Sequence, residues 1–407
     1  MKAFTEPLLS LAGFEEMTKT AEKSSGLISV TGCIDAQKSQ MIYAFGGHRK
    51  NKLIVTFGEQ KAKELYDEYS FFDKEVVYYP SKDVLFYQSD IRGNLLTAER
   101  IRALKAIREQ ERVTLVTTFD ALMNTMAPIE KMWENVLTLE LGQLLDLKEI
   151  QAALIRMGYE KEYQVQTMGQ FSVRGGILDV FPLTEENPIR IELWGDEIDT
   201  IRYFDCESQK SIENIDRVSI YPAAELVLSD EEKAGGIDKL KAEAKRVSDK
   251  LRKQMKTEEA HRVTVMADEL TEEWGELSMY AGMDAFLSYF FDERVGILDY
   301  FNPSDSIIFF DELTRCVEQG KLTETEFSES MKQRLAMGYI LPGQMNGLFT
   351  EKEIVAKLGK YSCIALGALD NKANGLHQLG SYGIHCQSVS PYNNSFELLI
   401  KDLKRYK

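Results

Sequence analysis

The chain has 407 residues, 44% of them hydrophobic, with a formal net charge of −16. This length predicts two to four domains with ordinary cores and excludes disorder and collagen-like structure. Five Cys scattered at 33, 206, 316, 363 and 386 exclude a disulfide scaffold, and four His without ligand spacing exclude structural zinc. The acidic balance speaks against a DNA-coating role, which needs a basic field, and leaves a local patch open. No apolar run approaches the ~18 residues of a membrane-spanning helix, so no membrane partner is expected. The first residues carry Glu6, Glu15 and Glu16 and no apolar core, unlike a signal peptide. The expectation is a reduced, cytoplasmic protein without bound metal.

Residues 26–125 alternate strand and helix. Apolar runs at Gly26–Thr31, Leu53–Phe57, Val76–Tyr79 and Val113–Thr117 read as buried strands. Helical stretches Gln37–Phe45, Gln60–Tyr69 and Leu95–Glu109 lie between them. Continuous apolar strands separated by helices predict a parallel sheet covered on both faces. From Asn135 the character changes. Asp146 caps a helix to about Met157. Short strands then follow at Glu162–Met168, Phe171–Val173, Ile177–Phe181, Ile189–Trp194, Glu197–Phe204 and Arg217–Tyr221, a small antiparallel sheet. Ser229-Asp-Glu-Glu232 is a capping box opening a charged helix to about Met255, and a second helical stretch covers Ala267–Tyr289. The α/β pattern returns with Ser306–Phe310, a helix around Phe327–Met337 and Ser362–Leu366. The last 30 or so residues read as a connector.

Gly32, Lys38 and Ser39, between a strand and a helix, keep the spacing of a phosphate-binding loop, Gly-x-x-x-x-Gly-Lys-Ser. Gln37 replaces the second Gly. A side chain there obstructs the nest of N–H groups that would hold a phosphate. Taken alone, a Lys38-Ser39 pair at this spacing more often merely starts an amphipathic helix than binds a nucleotide. The strand Ser306–Phe310 ends in Asp311-Glu312, where a helicase-type ATPase holds Mg²⁺ and its catalytic Glu. Together these traces read as a degenerate ATPase core.

Pro188–Trp194, Gly195-Asp196 and Glu197–Phe204 read as a β-hairpin. Alternation sends Ile189, Ile191 and Leu193 to one face and Arg190, Glu192 and Trp194 to the other. A Trp beside an Arg on a polar face is a pair enriched in binding hot spots. Arg174, at the turn before Ile177–Phe181, belongs to the same surface or pairs with a local acid. The basic stretch Lys239–Lys253 is the best DNA-contact candidate, but interleaved acids make it a solvated helix face.

The run Gly169–Pro182 followed by Pro188–Asp205 resembles the domain shared by the UvrB repair proteins and the Mfd family of transcription-repair coupling factors. Leu298–Phe301 before Ile307–Glu312 and Gly338–Pro342 extend the resemblance over nearly the whole chain. Leu313-Thr314 stand where UvrB has Ser-His. About a dozen residues separate Pro80 from Leu95, with Phe86 and Tyr87 among them, too few for the DNA-threading hairpin of UvrB. The chain is therefore similar to the N-terminal UvrB-like module of the coupling factors.

The resemblance implies a fold and a partner. Residues 1–135 would be a degenerate P-loop α/β domain, 136–222 a small antiparallel UvrA-binding domain, and 223–375 a helical subdomain returning to the α/β core. Residues 376–407 would connect to absent downstream domains. The module would be a non-catalytic adaptor recruiting UvrA through Arg174, Arg190 and Trp194, with Glu192 steering register. ATP and Mg would serve only the translocase motor elsewhere in the full protein, where RNA polymerase, double-stranded DNA and a C-terminal regulatory domain in cis are further implied partners. The alternatives are residual ATP binding or UvrB-like damaged-DNA binding.

Overall fold

In the computed structural model, residues 2–11, 13–45, 49–82, 93–276, 282–369, 371–384, 392 and 395–406 are described. The first α/β layer runs β1 (Gly26–Thr31), α3 (Asp35–Phe45), β2 (Asn51–Thr56), α4 (Glu59–Tyr69), β3 (Val76–Tyr79), α5 (Gly93–Glu109) and β4 (Val113–Thr118). Two helices precede it, α1 (Lys2–Leu9) and α2 (Phe14–Lys23), and α6 (Phe119–Met123) and α7 (Ile129–Glu134) follow. Much later in the chain, β13 (Ser306–Asp311), α12 (Leu313–Ala336), α13 (Glu351–Leu358), β14 (Ser362–Leu366) and β15 (Gln378–Gly383) complete the same layer. The strands form one seven-stranded sheet, ordered β15-β1-β14-β13-β2-β4-β3. Every pairing in it is parallel.

Alternation explains why these strands are apolar throughout. Leu53 and Val55, Ile308 and Phe310, Cys363 and Ala365 enter one core. Their neighbours Ile54, Ile307, Phe309, Ile364 and Leu366 enter the core on the opposite face. A sheet buried on both sides cannot spend alternate positions on polar residues.

The small sheet stands apart. Its strands are β6 (Glu160–Lys161), β7 (Gln170–Arg174), β8 (Ile177–Val180), β9 (Ile189–Trp194), β10 (Glu197–Phe204) and β11 (Ser211–Asn214). They lie in the order β11-β10-β9-β8-β7-β6, antiparallel except for the β6–β7 pair. A two-stranded ribbon of β5 (Leu137–Glu140) and β12 (Arg217–Ile220), with α8 (Leu147–Arg156), closes one face. Phe171, Leu178, Ile189, Ile191 and Ile201 pack there against Leu139, Leu154 and Val218. Asp146 caps α8 as expected, accepting from the Lys148 and Glu149 N–H groups. The opposite face carries the polar residues.

The helical part holds α9 (Asp230–Lys253), α10 (Thr257–Glu276) and α11 (Leu287–Phe290), with a core around Trp274. The Ser229–Glu232 capping box forms as expected. Leu240, Ala244 and Leu251 of α9 are buried, which leaves Lys239, Lys241, Lys245 and Lys250 on its other sides. Last comes α14 (Phe396–Tyr406).

Several expectations need correction. Glu162–Met168 is not a strand. The Gln170 side-chain oxygen accepts the N–H groups of Gln166 and Thr167, and Ser172 holds the Tyr163 carbonyl, so side chains satisfy that backbone instead of a ladder. The second long helix starts at Thr257 instead of Ala267, and α12 starts at Leu313, well before Phe327. Residues 376–407 are more than a connector, because β15 extends the large sheet beside β1 and α14 follows. The stretch holding Phe86 and Tyr87 lies outside the described residues.

Candidate functional site

Register builds the polar face of the small sheet. Ser172 is opposite Asp179, Asp179 opposite Arg190, and Arg190 opposite Arg202. One residue pair along, Arg174 is opposite Ile177, Ile177 opposite Glu192, and Glu192 opposite Thr200. Opposed residues share a face, so these charges converge. Asp179 is buried at the centre. Arg190 grips it with Nε at 2.7 Å and Nη2 at 2.8 Å, and Arg174 Nη2 joins at 2.8 Å. The Arg190 guanidinium also lies 4.3 Å from the Phe204 ring centroid and donates to Gln209 Oε1 at 2.8 Å. Gln209 takes a left-handed backbone, φ 58, uncommon for a residue with a side chain. Arg202 holds Glu192 in a second forked pair. The hydrogen bonds from Arg202 keep the Glu192 carboxyl below its usual range.

Trp194 closes this face at the hairpin tip and is 83% exposed. Gly195, φ 64, makes the two-residue turn that ends its strand. Alternation placed Arg190, Glu192 and Trp194 on one surface, as the structure does, and of the two alternatives left open for Arg174 the structure shows both, a place on that face and a pair with a local acid, Asp179. The sequence did not foresee how fully the arginines are engaged. The Arg190 side chain is only 13% exposed and that of Arg174 35%, because Asp179 sits directly opposite Arg190 in the register and diagonally across from Arg174. Asp179 and Gln209 were missed. The signal for Asp179 was present, an acid two residues past Ile177 on the face of Arg174.

The second cluster lies at the end of β1 and β13. Helix α3 begins at Asp35, so only Gly32, Cys33 and Ile34 separate it from β1. The Gly32 N–H donates to the Ala368 carbonyl at 3.2 Å and the Cys33 N–H to the Gly367 carbonyl at 3.1 Å. Gly32 has φ 78, and a Cβ there would stand 2.1 Å from the Ile384 carbonyl oxygen. Lys38, 2% exposed, bonds Asp311, Asp35 at 2.8 Å and Glu312 at 3.3 Å. Burial works to lower the Lys38 pKa, but the Asp311 and Asp35 carboxylates outweigh it and hold the ammonium above its usual range. Thr56 donates to the other Asp311 oxygen at 2.9 Å, and Ser39 to Glu68 at 3.2 Å. The Gln37 side-chain oxygen is buried without a hydrogen-bond partner. The residues read as loop and acids are thus brought together, but their polar groups are turned on one another. Among the described residues no cluster of His, Cys, Asp or Glu could hold a metal, and no helix is long and apolar enough to cross a membrane.

The face with the forked arginines falls inside residues 137–226, which match the family of the UvrB interaction domain. The chain is also similar to transcription-repair-coupling factors. That of Bacillus subtilis (strain 168) is 29% identical over 290 residues, 71% of this chain and 24% of the relative. Those of Staphylococcus haemolyticus and Staphylococcus aureus (strain MRSA252) are 26% and 27% identical, over 93% and 97% of this chain. The chain spans about a quarter to a third of the length of these relatives. The resemblance read from the sequence therefore stands: residues 137–226 match the UvrB interaction domain, and the chain is similar to part of the transcription-repair-coupling factors.

Proposed function

We propose that this chain is a recruitment module that docks UvrA on the polar face of its small sheet and so couples stalled transcription to excision repair. The observation that carries the reading is Trp194, a large aromatic left bare at the end of a rigid charged face inside a UvrB interaction domain. The forked Arg190 pair and the single Arg174 bond on Asp179 hold both guanidinium groups before any partner arrives, so docking orders little that was free. Arg174, the more open arginine, is the one to meet a carboxylate on UvrA. Arg190 supports the face from within. Glu192, tied to Arg202, presents a fixed acid for register.

The adaptor does its work without nucleotide chemistry of its own. The loop N–H groups at Gly32 and Cys33 are taken by carbonyls, and the only buried ammonium of the cluster is ringed by Asp35, Asp311 and Glu312. An incoming phosphate would have to displace those carboxylates. ATP, Mg²⁺ and double-stranded DNA would belong to the translocase motor of a longer protein, and RNA polymerase to a separate polymerase-binding domain. A C-terminal regulatory domain would act on this face in cis.

Capture of purified UvrA by immobilised chain tests the reading. Wild type retains UvrA, Trp194→Ala reduces capture while melting like wild type, and Arg174→Ala reduces capture with a small loss of stability from its bond to Asp179. Full capture by both variants overturns it. A melting temperature raised several degrees by Mg-ATP would instead favour a working nucleotide site.

A further inference from the structure

The turn before α8 lies against the docking hairpin. Gln143 donates its N–H to the Glu140 carbonyl at 3.2 Å, and Gly142 has φ 79. A type II turn requires that left-handed value at its third residue. The turn is fastened to the start of β10. Gly142 N–H meets the Ile198 carbonyl at 2.9 Å, Ile198 N–H the Gln143 carbonyl at 2.9 Å, and Leu145 N–H the Asp196 carbonyl at 2.7 Å. Leu144 is thereby opposite Glu197 in an antiparallel bridge, and Glu197 is opposite Trp194. Opposed residues present their side chains to one face. Leu144, Glu197 and Trp194 form a single row, while Leu145 and Ile198 turn inward and are buried.

Both apolar ends of the row are bare, Leu144 at 74% and Trp194 at 83% exposure, and Glu197 between them is exposed. A lone exposed leucine carries no message. Here it stands on backbone that is hydrogen-bonded in place, in line with the aromatic anchor, with a carboxylate between the two. A surface of this kind loses little freedom on docking.

We infer that Leu144 is a second apolar anchor of the docking face, and that the surface it meets has two apolar depressions flanking a basic side chain that pairs with Glu197. The inference rests on the reading that UvrA docks here, and it extends the face beyond the residues the family resemblance implied.

The test is a titration of purified UvrA into wild type, Leu144→Ser, Glu197→Lys, Trp194→Ala and Leu322→Ser, each first checked by thermal melting. Leu322 is an exposed leucine on α12 and serves as control. Leu144→Ser and Glu197→Lys should each weaken binding about tenfold, and Leu322→Ser should match wild type. Weakening by Trp194→Ala alone overturns the inference and leaves the docking reading intact. Wild-type affinity in Trp194→Ala as well overturns both. Equal weakening in Leu322→Ser overturns the inference as a generic solubility effect. A dimer of the chain alone that Leu144→Ser dissolves, seen by sedimentation velocity, assigns the row to a second copy and overturns it too.

Discussion

Trp194 and Arg190 share a face and differ in what they do for the fold. The indole makes no large internal contact at 83% exposure, so Trp194→Ala should leave the melting temperature within about 1 °C of wild type, as surface changes do. It should weaken UvrA binding by about thirtyfold, the effect of losing a hot-spot aromatic. Arg190 is the counter-charge of a buried carboxylate. Removing it leaves Asp179 with Arg174 alone, and Arg190→Ala should cost about 2–4 kcal/mol in urea unfolding. Arg190→Lys should recover only part of that loss, since an ammonium cannot make the forked bond. Equal stability of wild type and Arg190→Ala would remove Asp179 from the centre of the face. Loss of UvrA capture by an Arg190 variant is therefore ambiguous by itself, and Trp194 gives the cleaner reading.

At the scale of elements, the junction of β1, α3 and β13 turns on one ammonium. Lys38 and Asp311 are both 2% exposed, so Lys38→Met strands a buried carboxylate beside Glu312 and Asp35. That should cost about 3–5 kcal/mol. Calorimetry on the variant checks it, and an unchanged melting temperature would show that the cluster holds nothing together. The elements the sequence revealed best are those with a physical reason to be legible. The parallel strands are apolar on both faces, and Ile189–Trp194 alternates ahead of the Gly195-Asp196 turn, while its partner strand shifts register between Ile198 and Thr200. The elements it hid lack such a signature. Ser211–Asn214 is exposed throughout, and Gln378–Gly383 is polar and glycine-bearing, held in the sheet by its pairing with β1. The candidate site was legible in its faces and opaque in its pairings. Alternation gives the side of a strand, but register across strands decides that Asp179 meets Arg190.

At the scale of the whole molecule, the small sheet is tied to the large one where it exits toward α9. Arg100, buried, donates to both Glu225 oxygens at 2.7 and 3.1 Å and to the Pro80 carbonyl at 2.6 Å. Lys82 adds a bond to Glu225 at 3.0 Å and one to Asp284. Burial alone would raise the Glu225 pKa, but the Arg100 and Lys82 charges outweigh it and hold it at about 2. A depressed carboxyl stabilises the fold fully above its unfolded pKa of about 4.5, and that stabilisation fades as pH falls toward 2. Above pH 5 wild type should exceed Glu225→Gln by about 3 kcal/mol, and the gap should close between pH 4.5 and 2. A gap independent of pH would mean that the ion pair is not what joins the parts. This rigid seat matters to the proposed recruitment, because a docking face works only if it is presented in one attitude.

The central claim is that the chain offers UvrA the same kind of face that UvrB offers. A competition titration tests it most directly, with labelled chain bound to purified UvrA and unlabelled UvrB added. Displacement of wild-type chain to completion, with Trp194→Ala chain binding too weakly to require it, is the predicted result. A stable assembly holding UvrA, UvrB and this chain on the same UvrA site count would contradict it.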